Sequence, residues 1–400
     1  MKPVVTVFMD GLKADSLKYM PFISSLGHRR RLRTQLGYSN PSHASMYSGV
    51  YPNKHRNWFV WRYAPDTSPF KWLRGIGRLP HNIYTKYAFY RTTTALLTRH
   101  NTAFCDVPFL WWLPMSAWSN FDVNEKKFWS EPGFLTDYPT IFDVLRAHHV
   151  PYEVIGMVKR QPHRALGWIE AHNFSDIKPW TYLFIGDIDG YSHRYGPDSV
   201  ETQERLGKID RVLEQKYRLF EKALGDFCFM LYSDHGHMAV KEGINLSEFF
   251  AGRGKDINDY IHIIDINYAR FWFRNEKEAE AVTEALSSLG KGFILTEEHL
   301  RKYRVDMPDN RYGDLIYYLD TPGAFTHGLV SVLGKPRGHL PVSIHGYLPD
   351  YPDMDGLFVS NRSLVGDSHL ELVDIMPSIL DALDLPIPGH VEGKSVWSGP

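Results

Sequence analysis

Three short apolar runs each close on acidic residues: VVTVFMD on Asp10, TYLFIGDID on Asp187 and Asp189, and FCFMLYSD on Asp234. Their length and their β-branched and aromatic content predict buried parallel strands. Between the runs the spacing turns helical. Leu206, Ile209, Leu213 and Phe220 share one face of a helix before the third run. Leu370, Val373, Met376 and Leu380 mark another near the C-terminus, where Pro377 argues against one unbroken helix. Strands alternating with helices predict an α/β fold with a doubly wound, mostly parallel central sheet flanked by helices. Such sheets bind ligands beyond the carboxyl ends of their strands, so the acidic ends should face one crevice.

Two stretches break this rhythm. Residues 58–130 hold Trp58, Trp61, Trp72, Trp111, Trp112, Trp118 and Trp129, seven of the eleven tryptophans, with prolines and no clean period. They predict an aromatic-rich lid inserted over the crevice. Residues 241–340 run from a strand-like YARFWF through a helical KEAEAVTEALSSL to a strand-like GDLIYYLD, which predicts a small α+β subdomain. The catalytic core is then 1–57, 131–240 and 341–400. The apolar stretch CDVPFLWWLPMSAW, 105–118, is too short to span a bilayer but could dip into a membrane interface as a peripheral contact. Ordinary aromatic packing explains it equally well.

Composition narrows the partners. With 45 basic and 46 acidic side chains, the net charge of −1 offers no bulk field for a nucleic acid polymer. The basic run RRRLR, Arg29 to Arg33, reads as a solvated helix end and loop. Cys105 and Cys228 imply no disulfide framework, which favours a reducing compartment. The N-terminal MKPVVTVFMDG is cut short by Asp10 and reads as a first strand rather than a signal peptide. No apolar run is long enough to cross a bilayer, so a cytoplasmic location is expected.

The candidate chemistry lies in seven residues: Asp10, Ser39, Asp189 and His193 of DGYSH, Asp234 and His235 of SDHGH, and His345 of HGY. Singly, each has a structural explanation, since an Asp after a strand is usually a cap or turn residue. Jointly, at the ends of strands of one sheet, they suggest a site. Carboxylates mixed with imidazoles, and no thiolate, suit zinc, and less specifically manganese or iron. Two such clusters on neighbouring strand ends could hold two ions roughly 3.5–4 Å apart, the spacing of a two-metal phosphoryl-transfer site.

The segments FMDGLKAD, YSNPSHASMYSGVYPNKH, DIDGYSHRYGPDS, YSDHGHM, HGYLPDYPDMDGLFV and VDIMPSILDALDLPIPGHVEGKSV follow one another from end to end. In that order the chain resembles the alkaline-phosphatase superfamily, and most closely its type I phosphodiesterase/nucleotide pyrophosphatase branch. The resemblance covers nearly everything but the aromatic segment. It implies one metal on Asp189, His193 and His345, and another on Asp10, Asp234 and His235 with Ser39 as the nucleophile beside it. A serine hydroxyl needs a base or a metal to attack at neutral pH, and a divalent ion would supply that activation. Ser42, Ser45 and Ser48 then belong to the capping and packing of a helix with Pro41 in its first turn, and His43 reads as structural.

The same resemblance bounds the substrate. Ser39-Asn40-Pro41-Ser42 is also similar to a sulfatase start, but His43 stands where the sulfatase arginine belongs and Met9 precedes Asp10 where an acidic pair is expected. Nucleotide-cleaving members carry a threonine nucleophile, then an aromatic residue, then an asparagine further on. Here Ser39 is followed by Asn40, and Asn57 could serve as that asparagine after a small shift. Asn40 and Asn57 are therefore the candidate substrate contacts. No arginine near Ser39 clearly suits the dianionic end of a phosphomonoester. The expected function is a two-metal phosphodiesterase, zinc-dependent or manganese-dependent, acting on a glycan-, lipid- or nucleotide-linked phosphodiester. The alternatives are a phosphotransferase to a glycan or lipid alcohol, a phosphomonoesterase or phosphonate hydrolase, and a metal-stabilised binding protein.

Overall fold

Val4–Met9 form strand β1, and every one of its residues is buried, as a strand covered on both faces must be. The computed structural model describes residues 2–75, 115–156, 164–320, 322–326, 340–366 and 369–397. Among these, β1 lies inside a seven-stranded sheet with β2 (His28–Arg33), β3 (Tyr152–Ile155), β4 (Trp180–Ile185), β5 (Cys228–Tyr232), β6 (Gly356–Ser360) and β7 (Leu370–Glu371). The order is β7-β2-β6-β5-β1-β4-β3. Only β6 runs against the others. The apolar runs ending at Asp10, Asp187 and Asp234 are thus β1, β4 and β5, three neighbours at the centre of the sheet.

Alternation along β1 sorts the two faces. Val4 and Phe8 pack on one side with α1 (Ser39–Ser48), α2 (Ile141–Ala147) and a C-terminal helix, through Met46, Tyr47, Ile141, Phe142, Met376 and Ile379. Val5, Val7 and Met9 pack on the other with α3 (Ala165–Ala171), α4 (Asp187–Tyr195) and α5 (Val200–Leu224), through Leu166, Ile169, Ile188, Leu206, Ile209 and Leu213. The fold is the doubly wound α/β architecture expected from the sequence.

Two expectations change. Arg29 to Arg33 are not a helix end and loop but lie in β2, paired with β6 on one side and β7 on the other. The arginines reach outward, Arg31 to Asp15 at 2.9 Å and Arg33 to Asp350 at 3.2 Å, while Leu32 is buried. Charge along the strand therefore hid its place in the sheet. The C-terminal helix, α6, spans Ile375–Ala382; Leu370 and Glu371 are strand β7, and Leu372–Asp374 form a single 3-10 turn. Pro377 falls in the first turn of α6, where its missing N–H costs no hydrogen bond.

Contacts divide the chain into two compact units: Met1–His55 with Trp129–Ala239 and Val342–Pro400, and Arg56–Phe128 with Val240–Pro341. The second unit has a four-stranded sheet in the order Ile261–Ile264, Tyr268–Trp272, Leu315–Leu319 and Gly292–Ile294, backed by the helix Glu276–Ser287. The described parts of the aromatic segment belong to this unit. Trp61–Tyr63 pairs with Phe121–Val123, and Trp61, Phe70, Trp118 and Phe121 share a core with Ile263 and Trp272. Trp129 joins the core of the first unit instead. The apolar stretch 105–118 lies outside the described residues as far as 114, as does Cys105; Cys228 is free and buried in β5. Among the described residues no helix is long and apolar enough to cross a membrane.

One buried ion pair stabilises the second unit. Arg270 is wholly enclosed, 2.7 Å from Asp265, donating to the Trp61 carbonyl at 3.0 Å and lying over the Phe59 ring. Arg270→Met would leave the Asp265 charge buried without a partner. It should cost about 3–5 kcal/mol, read from urea unfolding followed by tryptophan fluorescence. A loss within the range of an exposed pair, about 1 kcal/mol or less, would contradict the role given to this pair.

Candidate metal centre

The sheet order brings the acids together. Asp10 follows β1, Asp189 lies in the first turn of α4 after β4, and Asp234 follows β5. The Asp189 N–H donates to the Asp10 carbonyl at 3.1 Å, and the Asp10 N–H to Ile185 at 2.9 Å. His193 stands one helical turn beyond Asp189 on the same face of α4. His345 arrives by another route. Ser343–Ile344 pairs antiparallel with Met238–Ala239, so the segment after Asp234 and the segment before His345 are joined by a short ladder.

Close approach requires bare backbone at two points. Gly11 has φ +71°, and a Cβ there would lie 2.9 Å from the Asp189 Cα. Gly346 has φ +91°, and its Cβ would meet the Tyr38 ring at 2.5 Å. Both glycines directly follow site residues and allow them to turn into the site.

Two donor sets result. Asp189, His193 and His345 form one, with the His193 and His345 Nε2 atoms 3.2 Å and 3.6 Å from Asp189 Oδ1. Asp10, Asp234 and His235 form the other, with His235 Nε2 3.4 Å from both Asp10 Oδ1 and Asp234 Oδ2. The His235 and His345 rings stack at 3.7 Å, so the sets adjoin. Ser39 is the first residue of α1, with Oγ 3.2 Å from His235 Nε2.

The donor chemistry fits divalent cations. His193 Nδ1 donates to the Ser343 carbonyl at 2.8 Å, and His235 Nδ1 to the Gly236 carbonyl at 3.1 Å. With Nδ1 committed to a carbonyl, each turns Nε2 toward the carboxylates as the nitrogen that would ligate a cation, the outer-shell pattern of a metal-ligating histidine. Among the described residues, buried Asp10 Oδ1 and Asp234 Oδ2 have no close hydrogen-bond donor, His235 Nε2 standing 3.4 Å from each. Such oxygens are costly unless a cation meets them.

Without cations the site must hold protons. Burial, with Asp234 and Asp189 beside it, pushes the Asp10 carboxyl up to about 7. Burial opposes a charge on His235, but Asp234, Asp10 and Asp189 outweigh it and lift the ring to about 10. Asp189 is held well below the usual carboxylate range: burial works against its charge, yet His193, His237 and His345 prevail. Burial and the neighbouring His235 push His345 well below the ordinary histidine value.

All seven residues assembled from the sequence thus meet in one place. Of the candidate substrate contacts, Asn40 lies in the first turn of α1, while Asn57 belongs to the second unit and accepts a hydrogen bond there from Asn124. Ser42 bonds the Tyr38 carbonyl, Ser45 bonds Gln35 and His55, and Ser48 bonds the Ala44 carbonyl. His43 is buried edge-on to Phe8, and burial pushes it down to about 3. Sequence reasoning missed His237. It is enclosed, held neutral by burial at about 3, and places Nε2 3.1 Å from Asp189 Oδ1. Its only sequence signal was the second histidine of SDHGH.

The sequence profile described as Type I phosphodiesterase / nucleotide pyrophosphatase matches residues 4–328. Venom phosphodiesterase 2 of Crotalus adamanteus is 26% identical over 242 residues, covering 58% of this chain and 26% of that protein. Venom phosphodiesterase CdcPDE of Crotalus durissus collilineatus matches to the same extent. The chain thus spans about a quarter of the length of the curated relatives it matches. Among solved structures, an inactive form of murine ectonucleotide pyrophosphatase / phosphodiesterase 5 in complex with AMP superposes with a TM-score of 0.67 at 13% identity, covering 97% of this chain and 96% of that one. The human counterpart gives 0.66 at 14% identity, covering 98% and 97%.

Ion uptake should release protons, because the Asp10 and His235 protons must leave as cations enter. Divalent-ion affinity should therefore rise from about pH 6 to about pH 8. Zinc titration against a competing chelator, with an indicator dye for released protons, measures both. Affinity flat across that range with no proton release would contradict this electrostatic picture.

Proposed function

The chain belongs to the type I phosphodiesterase/nucleotide pyrophosphatase family, and on that premise we propose that it is a two-metal hydrolase that cleaves a phosphodiester through a covalent intermediate on Ser39. The observation that carries this reading is the position of Ser39. Its Oγ sits beside the Asp10, Asp234 and His235 donor set, with the Asp189, His193 and His345 set adjoining. Zinc is the ion these donors suit best, with manganese the alternative. Bound divalent ions would acidify the serine hydroxyl and offset charge on the phosphoryl oxygens.

The chain's own residues do the rest. Ser39 Oγ gives up its proton to solvent and attacks phosphorus in line; the Oγ–P bond forms as the P–O bond to the leaving group breaks, and the departing oxygen takes a proton from solvent to leave as the alcohol. Water then attacks the phosphoserine, restoring the Ser39 hydroxyl and releasing the phosphomonoester. The N–H groups in the first turn of the ten-residue α1 favour the anionic phosphate at Ser39. A simple serine–histidine pair is a poor alternative, although Ser39 and His235 are in contact. In the absence of ions His235, at about 10, is already charged at neutral pH and cannot accept the serine proton.

On the substrate side, Asn40, the residue after Ser39, is the proposed contact. A diester is favoured over a monoester because the sequence offers no clear arginine for a dianionic terminus. The AMP held by the murine relative makes a nucleotide-linked diester one member of the class, beside glycan- and lipid-linked ones.

Bis(p-nitrophenyl) phosphate should be turned over faster than p-nitrophenyl phosphate. Ser39→Ala should lower kcat on the diester by at least ~10³-fold. Chelation should abolish activity, and zinc or manganese should restore it. Diester hydrolysis at the wild-type rate by Ser39→Ala, or in a metal-free sample, would sink the reading.

A further inference from the structure

We propose that His237 is a positioning residue of this centre: its imidazole holds the Asp189 carboxylate in the orientation in which Asp189, His193 and His345 take their ion, and so sets the affinity of that ion alone. The inference rests on the two-ion reading above.

His237 belongs to neither donor set identified from the sequence, yet its surroundings are as closely built as those of the residues that do. Its side chain is closed to solvent, with Nε2 3.1 Å from Asp189 Oδ1. Its Nδ1 faces the Ser343 hydroxyl at 3.4 Å, and that hydroxyl donates to the Ser192 carbonyl at 2.5 Å. The Ser343 carbonyl accepts from His193 Nδ1. One residue of the short strand therefore touches both imidazoles that flank Asp189, and their rings stand edge-on at 4.8 Å and 84°. The pairing of Met238–Ala239 with Ser343–Ile344 fixes the backbone on either side. Gly11 keeps the space open, since a Cβ there would lie 2.9 Å from His237 Nε2.

The division of labour among the nitrogens makes this a positioning role. Asp189, His235 and His237 are close enough to form a third donor set. However, His235 Nε2 already faces Ser39, Asp10 and Asp234, and its Nδ1 is engaged by the Gly236 carbonyl. It has no nitrogen left to share with a third ion. His193, whose Nδ1–H is committed to Ser343, must offer Nε2 as a lone pair. His237 carries one ring proton, and the Asp189 carboxylate at 3.1 Å is a nearer and stronger acceptor than the Ser343 hydroxyl at 3.4 Å. That proton therefore belongs on Nε2, where it gives Asp189 an N–H while the ion is bound and fixes the carboxylate as outer-shell partners fix metal ligands.

The test is zinc binding by the full chain against a competing chelator, with wild type resolved into two equivalents. His237→Ala should weaken one equivalent about 10–100-fold and leave the other unchanged, which also reports an intact fold. His237→Gln can place a side-chain N–H near the position of Nε2 but is a poor metal ligand, and should recover most of the loss. Three results would overturn the proposal: wild-type affinity for both ions in His237→Ala, equal weakening of both ions, or a Gln variant as weak as the Ala variant. Failure of the two-ion reading would look different, because wild type itself would then bind fewer than two ions.

Discussion

Asp10, Asp189 and Asp234 converge in a site largely closed to water, where carboxylates cannot all be ionised unless cations lie among them. Much of the first unit serves that convergence. The order β5-β1-β4 makes the strands that end in these acids neighbours. The glycine after Asp10 lets the Asp189 backbone come within van der Waals reach. The imidazoles that surround the acids have their outer nitrogens tied to backbone carbonyls, which commits their inner nitrogens to the cavity. In the metal-free protein, protons stand in for the missing charge, and Asp10 at about 7 and His235 at about 10 record how strongly the cluster calls for it.

This constraint also explains the place of Ser39. A hydroxyl at the first position of a helix meets unsatisfied backbone N–H groups on one side and the Asp10, Asp234 and His235 donors on the other. Few positions in a sheet protein combine an anion-favouring helix start with a cation-favouring cluster of acids. The two tendencies together suit a phosphate ester, whose oxygens need positive charge while its phosphorus meets a nucleophile. Fold similarity at 13–14% identity supports the architecture alone.

Most of the site was legible because its signals are local. A buried strand that stops at an acid can be read from a few residues, and so can DGYSH, whose Asp189 and His193 are one helical turn apart. What escaped depends on distant partners. The arginines of β2 gave no hint of a sheet strand, because Leu32 alone is deeply buried there and its neighbours β6 and β7 come from beyond residue 355. The start of α6 moved because Leu370 and Glu371 were needed to pair with β2. The tryptophans of the aromatic segment showed no period because their packing partners, Ile263 and Trp272, lie in another part of the sequence. His237 escaped for the same reason: Asp189 and Ser343, which give it a role, are far from it along the chain.

The central claim is that two cations neutralise these acids in two separate donor sets. Zinc-loaded crystals measured at the zinc absorption edge test it most directly. Two anomalous peaks are predicted, one enclosed by Asp189, His193 and His345, the other by Asp10, Asp234 and His235 with Ser39 alongside. A single peak, or peaks away from these side chains in fully loaded protein, would contradict the account.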